Sequence, residues 1–229
     1  MPKKVELSIY DKLLELPLFQ GLGSSDMAWI VEKIKFDFQK YKPGETIIRQ
    51  NAACNSVYFI LSGDVDMETV SYDNKFTFCE LISSPSVLEP EVLFGPRTHY
   101  THSFVATTDV AVLNISKSEF WESLLKYEVF RLNFINLLSA QAQNASKLLW
   151  QPTNGSVKQR IIRFMAAHCR KPSGPKRIKV KMEELANQLC ETRANVSKAL
   201  NELQEENVIV LKRSIIEIPH MEELFQILN

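Results

Sequence analysis

The sequence is poor in several things, and each scarcity removes a class of protein. It holds only four cysteines, Cys54, Cys79, Cys169 and Cys190. None forms a Cys-x-x-Cys pair and no histidine is placed to complete a metal site, which argues against a disulfide scaffold and a zinc module. Scattered thiols of this kind are expected to be reduced and mostly buried, as in a cytoplasmic protein. No apolar run approaches the ~20 residues that a membrane helix needs, so no membrane partner is expected. The opening Met1-Pro2-Lys3-Lys4 leads into an amphipathic stretch rather than an apolar signal core. There is no Ser-His-Asp set, metal triad, phosphate loop or pair of carboxylates at a working spacing. The chain is therefore read as a non-enzyme with no identifiable cofactor, which leaves room for an unknown small-molecule effector.

What is present is 229 residues, 45% hydrophobic and 24% charged, enough for one large or two modest domains. The charge balances overall but not along the chain. From Gln151 onward there are 13 Lys+Arg against 9 Asp+Glu, leaving 14 against 18 before it. A basic rear behind an acidic front fits a polyanion-binding domain joined to a non-binding one.

Leu13, Leu14, Leu16, Leu18 and Phe19 read as a short helix ending at Gly21-Leu22-Gly23, and Ser24-Ser25-Asp26 caps a second over Met27–Ile34. From Phe36 to Ile115 the texture is β. Runs at Phe36–Tyr41, Thr46–Gln50, Val57–Leu61, Val65–Tyr72, Phe76–Ile82, Ser103–Thr107 and Val110–Ile115 alternate with turns such as Pro43-Gly44 and Ser62-Gly63-Asp64. Short strands at this spacing predict a closed or sandwiched antiparallel domain. Ser116 caps a helix over Lys117–Leu125, and a longer helix runs from about residue 128 to Trp150. Its stripe Phe130, Phe134, Leu137, Gln141, Asn144 and Leu148, beside Ile135, Leu138, Ala142, Ala145 and Leu149, gives a wide apolar face. One side suits the β-domain and the other a coiled-coil-like pairing with a second subunit. A core helix within a monomer satisfies the same pattern.

Pro152-Thr153-Asn154-Gly155 marks a domain boundary. Beyond it come a helix over Val157–His168, a short strand Ile178–Val180, helices Met182–Leu189 and Thr192–Glu205, and a hairpin of Val208–Leu211 and Ser214–Ile218. That is the order of a winged helix-turn-helix. Leu185, Ala186 and Leu189 form the inner face of the first helix of the pair. Cys190-Glu191 is the turn, Thr192 the N-cap, and Val196, Leu200 and Leu203 bury the second helix. Arg193, Asn195, Ser197, Lys198 and Asn201 are left on exposed or partly exposed faces, with Lys212 and Arg213 on the hairpin. Arg or Lys pairs with guanine acceptors, Asn with adenine, and recognition helices read bases from their N-terminal half. An ordinary helical hairpin carries the same inner faces, but the tight turn, the capped second helix and the following hairpin favour reading double-stranded DNA.

At this point the sequence resembles the cAMP receptor protein / fumarate-nitrate regulator (CRP/FNR) family over nearly its whole length. The resemblance rests on Leu16-Pro17-Leu18-Phe19-Gln20-Gly21-Leu22, on Pro43-Gly44-Glu45-Thr46-Ile47-Ile48 with Val57-Tyr58-Phe59-Ile60-Leu61-Ser62-Gly63-Asp64-Val65, and on Leu185-Ala186 with Thr192-Arg193-Ala194-Asn195-Val196-Ser197-Lys198-Ala199-Leu200. It implies an α+β chain with a cyclic-nucleotide-binding-like β-roll (jelly roll) over 1–127, a dimerisation helix over 128–150, and a winged helix-turn-helix over 151–229. It further implies a homodimer paired through Phe130, Phe134, Leu137, Leu138, Gln141, Ala142, Ala145 and Leu148. That dimer would bind palindromic sites near promoters and contact RNA polymerase. Arg193, Ser197 and Lys198 would be the main base and phosphate contacts. Ala194 stands where the family commonly has Glu, so the half-site should differ from the cAMP receptor's. Cys190 replaces a frequent Gly in the turn.

The sensor pocket departs further from the family. Its Gly-Glu positions are Glu89-Pro90 here, its Arg position is Tyr100, Thr101 fills the Ser position, and the helix pair is Ala145-Ser146. Glu89, Glu91, Arg97, Tyr100, Thr101 and Ser146 are the candidate pocket residues. Without the phosphate-neutralising Arg or the ribose-binding Glu, a buried cyclic phosphate would go unpaired, and the usual cAMP mode is not expected. Arg97 substitutes only if the loop is rebuilt. No cysteine precedes Cys54 to hold an iron–sulfur centre, and Cys79 is followed by Glu80-Leu81 rather than the Cys-x-His of a haem sensor. His99 and His102 alone are too few for a metal. The alternative function is a small-molecule sensor acting through a protein partner, opposed by Arg193, Lys198, Lys212 and Arg213.

Overall fold

The computed structural model describes residues 9–149 and 155–228. In chain order it runs α1 (Ile9–Glu15), α2 (Ser24–Lys33), β1 (Asp37–Tyr41), β2 (Thr46–Ile48), β3 (Ser56–Ser62), β4 (Asp64–Val70), β5 (Phe76–Ser83) and β6 (Ser86–Leu88). A one-turn 3-10 helix over Pro90–Val92 follows, then β7 (Ser103–Ala106), β8 (Val110–Ser116), α3 (Lys117–Glu122) and α4 (Glu128–Leu149). The rest is α5 (Val157–Ala167), β9 (Lys176–Val180), α6 (Met182–Gln188), α7 (Arg193–Glu205), β10 (Val210–Lys212), β11 (Ile215–Ile218) and α8 (Met221–Leu228). These form two compact bodies, one of residues up to Val65 with Ile82–Ala145, the other of Asp66–Leu81 with the residues from Ser146 on.

The first body is an antiparallel β-roll. One sheet has the order β1-β8-β3-β6, and β2 pairs separately with β7. The alternating runs found in the sequence bury Val57 and Phe59 from β3 and Val110, Val112, Leu113 and Ile115 from β8. Gly63, at φ +91, makes the β3–β4 turn; a Cβ there would stand 2.4 Å from the Asp109 carbonyl oxygen, so only glycine fits. Leu13 of α1 and Leu16, Leu18 and Phe19 of the turn after it are buried as well.

The start of α4 belongs to this core. Phe130 lies 5.0 Å from Phe19 and 5.4 Å from Phe120, ring centre to ring centre, and Phe134 lies 5.2 Å from Phe120, all edge-on. Phe130 and Phe134 are thereby removed from the expected dimer face: both are buried within their own chain. A 3.6-residue period reports an apolar stripe without naming its partner, and the roll has taken this one.

The second body is a winged helix-turn-helix extended by one hairpin. Its strands follow the order β10-β11-β9-β5. β9 pairs with β11 on one side and on the other with β5, in the register Phe78↔Ile178 and Glu80↔Lys176. Chain order puts residues 66–81 in the roll, yet by their contacts they group with the C-terminal body. Phe76 and Phe78 share one core with Ile161, Met165, Ile178, Leu185, Val196, Leu200 and Leu224. At the end of the β5–β9 ladder the Glu80 carboxylate accepts from the Arg170 and Lys171 amides, each at 2.9 Å, and faces Lys176 Nζ at 3.4 Å.

The expected strands between Phe36 and Ile115 are all present, and β6 and α8 are additions. β6 is three residues long, and its Ser-Val-Leu lies between Pro85 and Pro90 in a stretch that reads as turn. The break at Pro152–Asn154 lies outside the described residues. No described helix is long and apolar enough to cross a membrane.

Candidate nucleic-acid interface

The helix pair α6 and α7 is built as its residues dictate. Leu185 and Ala186 are buried on α6, and Val196, Ala199, Leu200 and Leu203 on α7. The chain turns between them through Cys190 at φ 50, and the Glu191 amide donates to the Ala186 carbonyl at 2.9 Å. Thr192 caps α7, its hydroxyl accepting from the Asn195 amide at 3.2 Å. The buried stripe turns the opposite side of α7 to solvent. Arg193, Ala194, Asn195, Lys198 and Asn201 are exposed and Ser197 is half-buried. Arg193, Ser197 and Asn201 follow i, i+4, i+8 along one line of the surface, with Lys198 next to it. Lys212 and Arg213, both exposed, stand at the tip of the β10–β11 wing.

Two acids border this surface. Arg193 Nη1 lies 3.6 Å from Glu183 Oε1, and both side chains are mostly exposed, at 70% and 73%. Asn195 Nδ2 donates to Glu191 Oε2 at 3.1 Å, and Arg160 pairs with Oε1 of the same carboxylate. The Asn195 bond, with the Thr192 amide and the Arg160 charge, holds the Glu191 carboxyl below its ordinary range. The wing's Lys212 pairs with Glu217 at 2.8 Å. The two more exposed pairs, Arg193–Glu183 and Lys212–Glu217, are weak, worth about 0–1 kcal/mol, and exchange readily for a phosphate. Asn195 faces back toward the turn, tied to Glu191. Arg193, Ser197, Lys198 and Asn201 make up the outward row.

In the roll, the candidate sensor residues divide. Glu89 is buried at 1% exposure, with left-handed backbone (φ 40, ψ 51) immediately before Pro90. Its carboxylate accepts from the Thr101 amide at 3.1 Å and the His102 amide at 3.4 Å, and also from the Thr101 hydroxyl. His102 Nδ1 stands 2.5 Å from Glu89 Oε1. Tyr100 is buried and donates its hydroxyl to the Ser56 carbonyl at 2.6 Å; burial pushes that hydroxyl's pKa upward. Glu91 is exposed on the one-turn 3-10 helix, Arg97 on the loop after it, and Ser146 on α4. Glu89, Tyr100 and Thr101 thus come together, while Glu91 and Arg97 turn to solvent. Among the described residues no group of three or more His, Cys, Asp or Glu side chains is arranged to hold a metal.

Residues 38–127 match the family model of a cyclic nucleotide-binding domain, and residues 159–227 that of a Crp-like helix-turn-helix domain. Over 208 residues, 88% of this chain and 89% of that protein, the sequence is 23% identical to the global nitrogen regulator of Synechocystis sp.. Over 116 residues, 48% of this chain and 27% of that protein, it is 34% identical to a cAMP-dependent protein kinase regulatory subunit of Colletotrichum orbiculare. Among solved structures, the catabolite activator protein of Thermus thermophilus shares the fold. Its TM-score is 0.53 at 20% identity, covering 93% of this chain and 98% of that one.

The chain belongs to the CRP/FNR family. It is a DNA-binding regulator of transcription, and the helix-turn-helix just described is the part that makes it one.

On this CRP/FNR regulator, the residues expected to pair two subunits fall into three groups. Phe130 and Phe134 are core, Leu137, Leu138 and Gln141 are half-buried, and Ala142 and Ala145 are exposed; the Leu148 side chain lies outside those described. Among the described residues, the large apolar groups that α4 exposes are Val129, Leu132 and Ile135, at 38%, 55% and 51%. They recur at i, i+3, i+6, one step round the helix from the buried phenylalanines. Val129 and Leu132 did not stand out in the sequence, because the phenylalanines dominate the pattern. Glu183 was also missed: it lies ten residues before Arg193, a separation no helical period exposes. The Glu191–Asn195 contact is an i, i+4 pair and was legible in principle.

Proposed function

We propose that this regulator acts as a homodimer that binds palindromic promoter sites, with the N-terminal half of α7 in the major groove. In this reading chain order assigns 1–127 to sensing, 128–150 to pairing and 151–229 to DNA binding, except that residues 66–81 go with the DNA-binding body into which they pack. The dimer works in the cytoplasm beside RNA polymerase and responds to an effector other than cyclic AMP in the usual mode. It performs no catalysis. Arg193 supplies the bidentate contact to a guanine, Ser197 and Asn201 line the same row, and Lys198, Lys212 and Arg213 meet phosphates, with Thr192 holding the helix start. Asn195, committed to Glu191, positions the turn or exchanges partners on binding.

One observation supports this above others. The face of α7 opposite its buried stripe is an exposed polar row, with a two-residue wing tip of Lys212 and Arg213 in the same body. A helix presented in this way fits a groove about 12 Å wide. The deciding experiment selects bound fragments from genomic DNA with the intact protein and measures affinity for the enriched sequence against random duplex over a range of salt. The expected result is a symmetric enriched site and an affinity that falls steeply with salt. Lys198→Ala should lower the salt slope by about one phosphate contact, and Arg193→Ala should lose about 1–3 kcal/mol and relax one base position. If both variants regulate as wild type does, the chain acts through a protein partner instead.

A further inference from the structure

We propose that Glu89 supplies the anion of this roll from within the chain: its carboxylate sits in the cradle formed by Thr101 and His102, at positions that the resemblance assigns to a ligand's phosphate. The proposal rests on the reading that cyclic AMP is not bound in the usual mode, and gives that reading a physical cause.

The cradle is recognisable without reference to any ligand. Two consecutive backbone amides, Thr101 at 3.1 Å and His102 at 3.4 Å, point at one carboxylate oxygen, Glu89 Oε2. The Thr101 hydroxyl and His102 Nδ1 converge on the other, the imidazole nitrogen at 2.5 Å, where it donates when it carries the proton. Successive amides aimed at a single point form an anion-binding concavity. Here the tenant is tethered, and its side chain is fully sealed from solvent. Delivering it needs the left-handed backbone at Glu89, a conformation that is costly for a residue with a side chain, and Pro90 locks the next residue.

A cyclic nucleotide does not fit this arrangement. Its phosphate would meet a buried carboxylate of like charge, on donors already taken. The residue twelve positions after the one that the resemblance aligns with a family glycine is Thr101, engaged with Glu89. The one before it is Tyr100, an uncharged side chain whose hydroxyl is committed to the Ser56 carbonyl at 2.6 Å. Arg97 is exposed on the loop.

The test uses the intact, nitrogen-15-labelled protein and follows the backbone amides of Thr101 and His102. In wild type, neither cyclic AMP nor inorganic phosphate at millimolar concentration is expected to move them. In Glu89→Gly, which removes the carboxylate and suits the left-handed backbone, phosphate should bind saturably and at least about tenfold more tightly than to wild type. It should also return both amide resonances toward their wild-type positions. A folded Glu89→Gly protein in which phosphate moves neither amide overturns the proposal while leaving the effector reading standing. Cyclic AMP moving both amides in wild type overturns the two together. Should Glu89→Gly fail to fold, Glu89→Gln decides: losing the charge should shift the Thr101 amide proton upfield, and an unchanged resonance refutes the tethered anion.

Discussion

Lys176 Nζ lies 3.4 Å from Glu80 Oε1 with both side chains sealed from solvent, and the same carboxylate takes the Arg170 and Lys171 amides. A pair so placed is strongly destabilising to break, because the survivor stays buried with its charge. Glu80→Ala is expected to cost about 3–5 kcal/mol in urea denaturation followed by circular dichroism. Glu80→Ala combined with Lys176→Met should recover only part of that loss, since the two amides still lack an acceptor. Full recovery would mean that the amide contacts carry nothing.

On the proposed reading of α7, Glu183 would compete with DNA for Arg193, which it faces at 3.6 Å. The pair is exposed, so its loss leaves stability unchanged, but the guanidinium becomes available to a base or phosphate. Glu183→Gln is expected to tighten binding to the selected site by about two- to fivefold at low salt, by fluorescence anisotropy, with a smaller gain at high salt. A weaker complex would show instead that Glu183 holds Arg193 in its reading position.

Cys190 occupies a left-handed position that glycine enters without steric cost. Cys190→Gly should stabilise the C-terminal body by about 0.5–1 kcal/mol, and Cys190→Val should destabilise it by at least as much. The measurement is the urea midpoint at unchanged slope.

Burial pushes the Cys169 thiol up to about 12, with the Glu80 charge adding to the shift. A raised folded value means that the native state holds the proton more tightly than the unfolded chain. Its contribution to stability is therefore complete below the ordinary thiol range and lost as pH rises from there toward 12. Alkaline unfolding should come at higher pH in Cys169→Ala than in wild type, corrected for the neutral-pH difference. At neutral pH a thiol reagent should modify exposed Cys190 well before Cys169.

The exposed stripe of α4 provides the test of pairing. Leu132→Asp or Ile135→Asp should halve the solution mass in sedimentation while leaving the roll folded, since neither is buried. Phe134→Asp should unfold the roll, because that ring is held among Phe94 and Phe120. Mass unchanged by the first two would place the subunit contact elsewhere.

The elements were legible wherever local pattern and local chemistry agreed: the alternating runs of β3 and β8, the Thr192 cap, and the buried line Val196, Leu200, Leu203. Partner choice was not. Phe130 and Phe134 read equally well as a dimer seam or as core, and which surface takes them depends on Phe19, more than a hundred residues away. The pairing of Phe78 with Ile178 left no trace in the sequence, because a strand's period marks its faces and not its neighbours. At the sensor, the sequence announced a missing arginine. It did not announce that Glu89 would turn inward to take up the donors, which depends on a backbone angle.

Because β5 reaches across to β9, the part of the gene that encodes the DNA-reading module is discontinuous. A polypeptide beginning at residue 151 would carry β9 with one bare margin and a core lacking Phe76 and Phe78, an invitation to pair with strands of other molecules. Grafting this reader onto a different sensor therefore means transplanting two stretches of sequence, the second of them lying inside what chain order calls the roll.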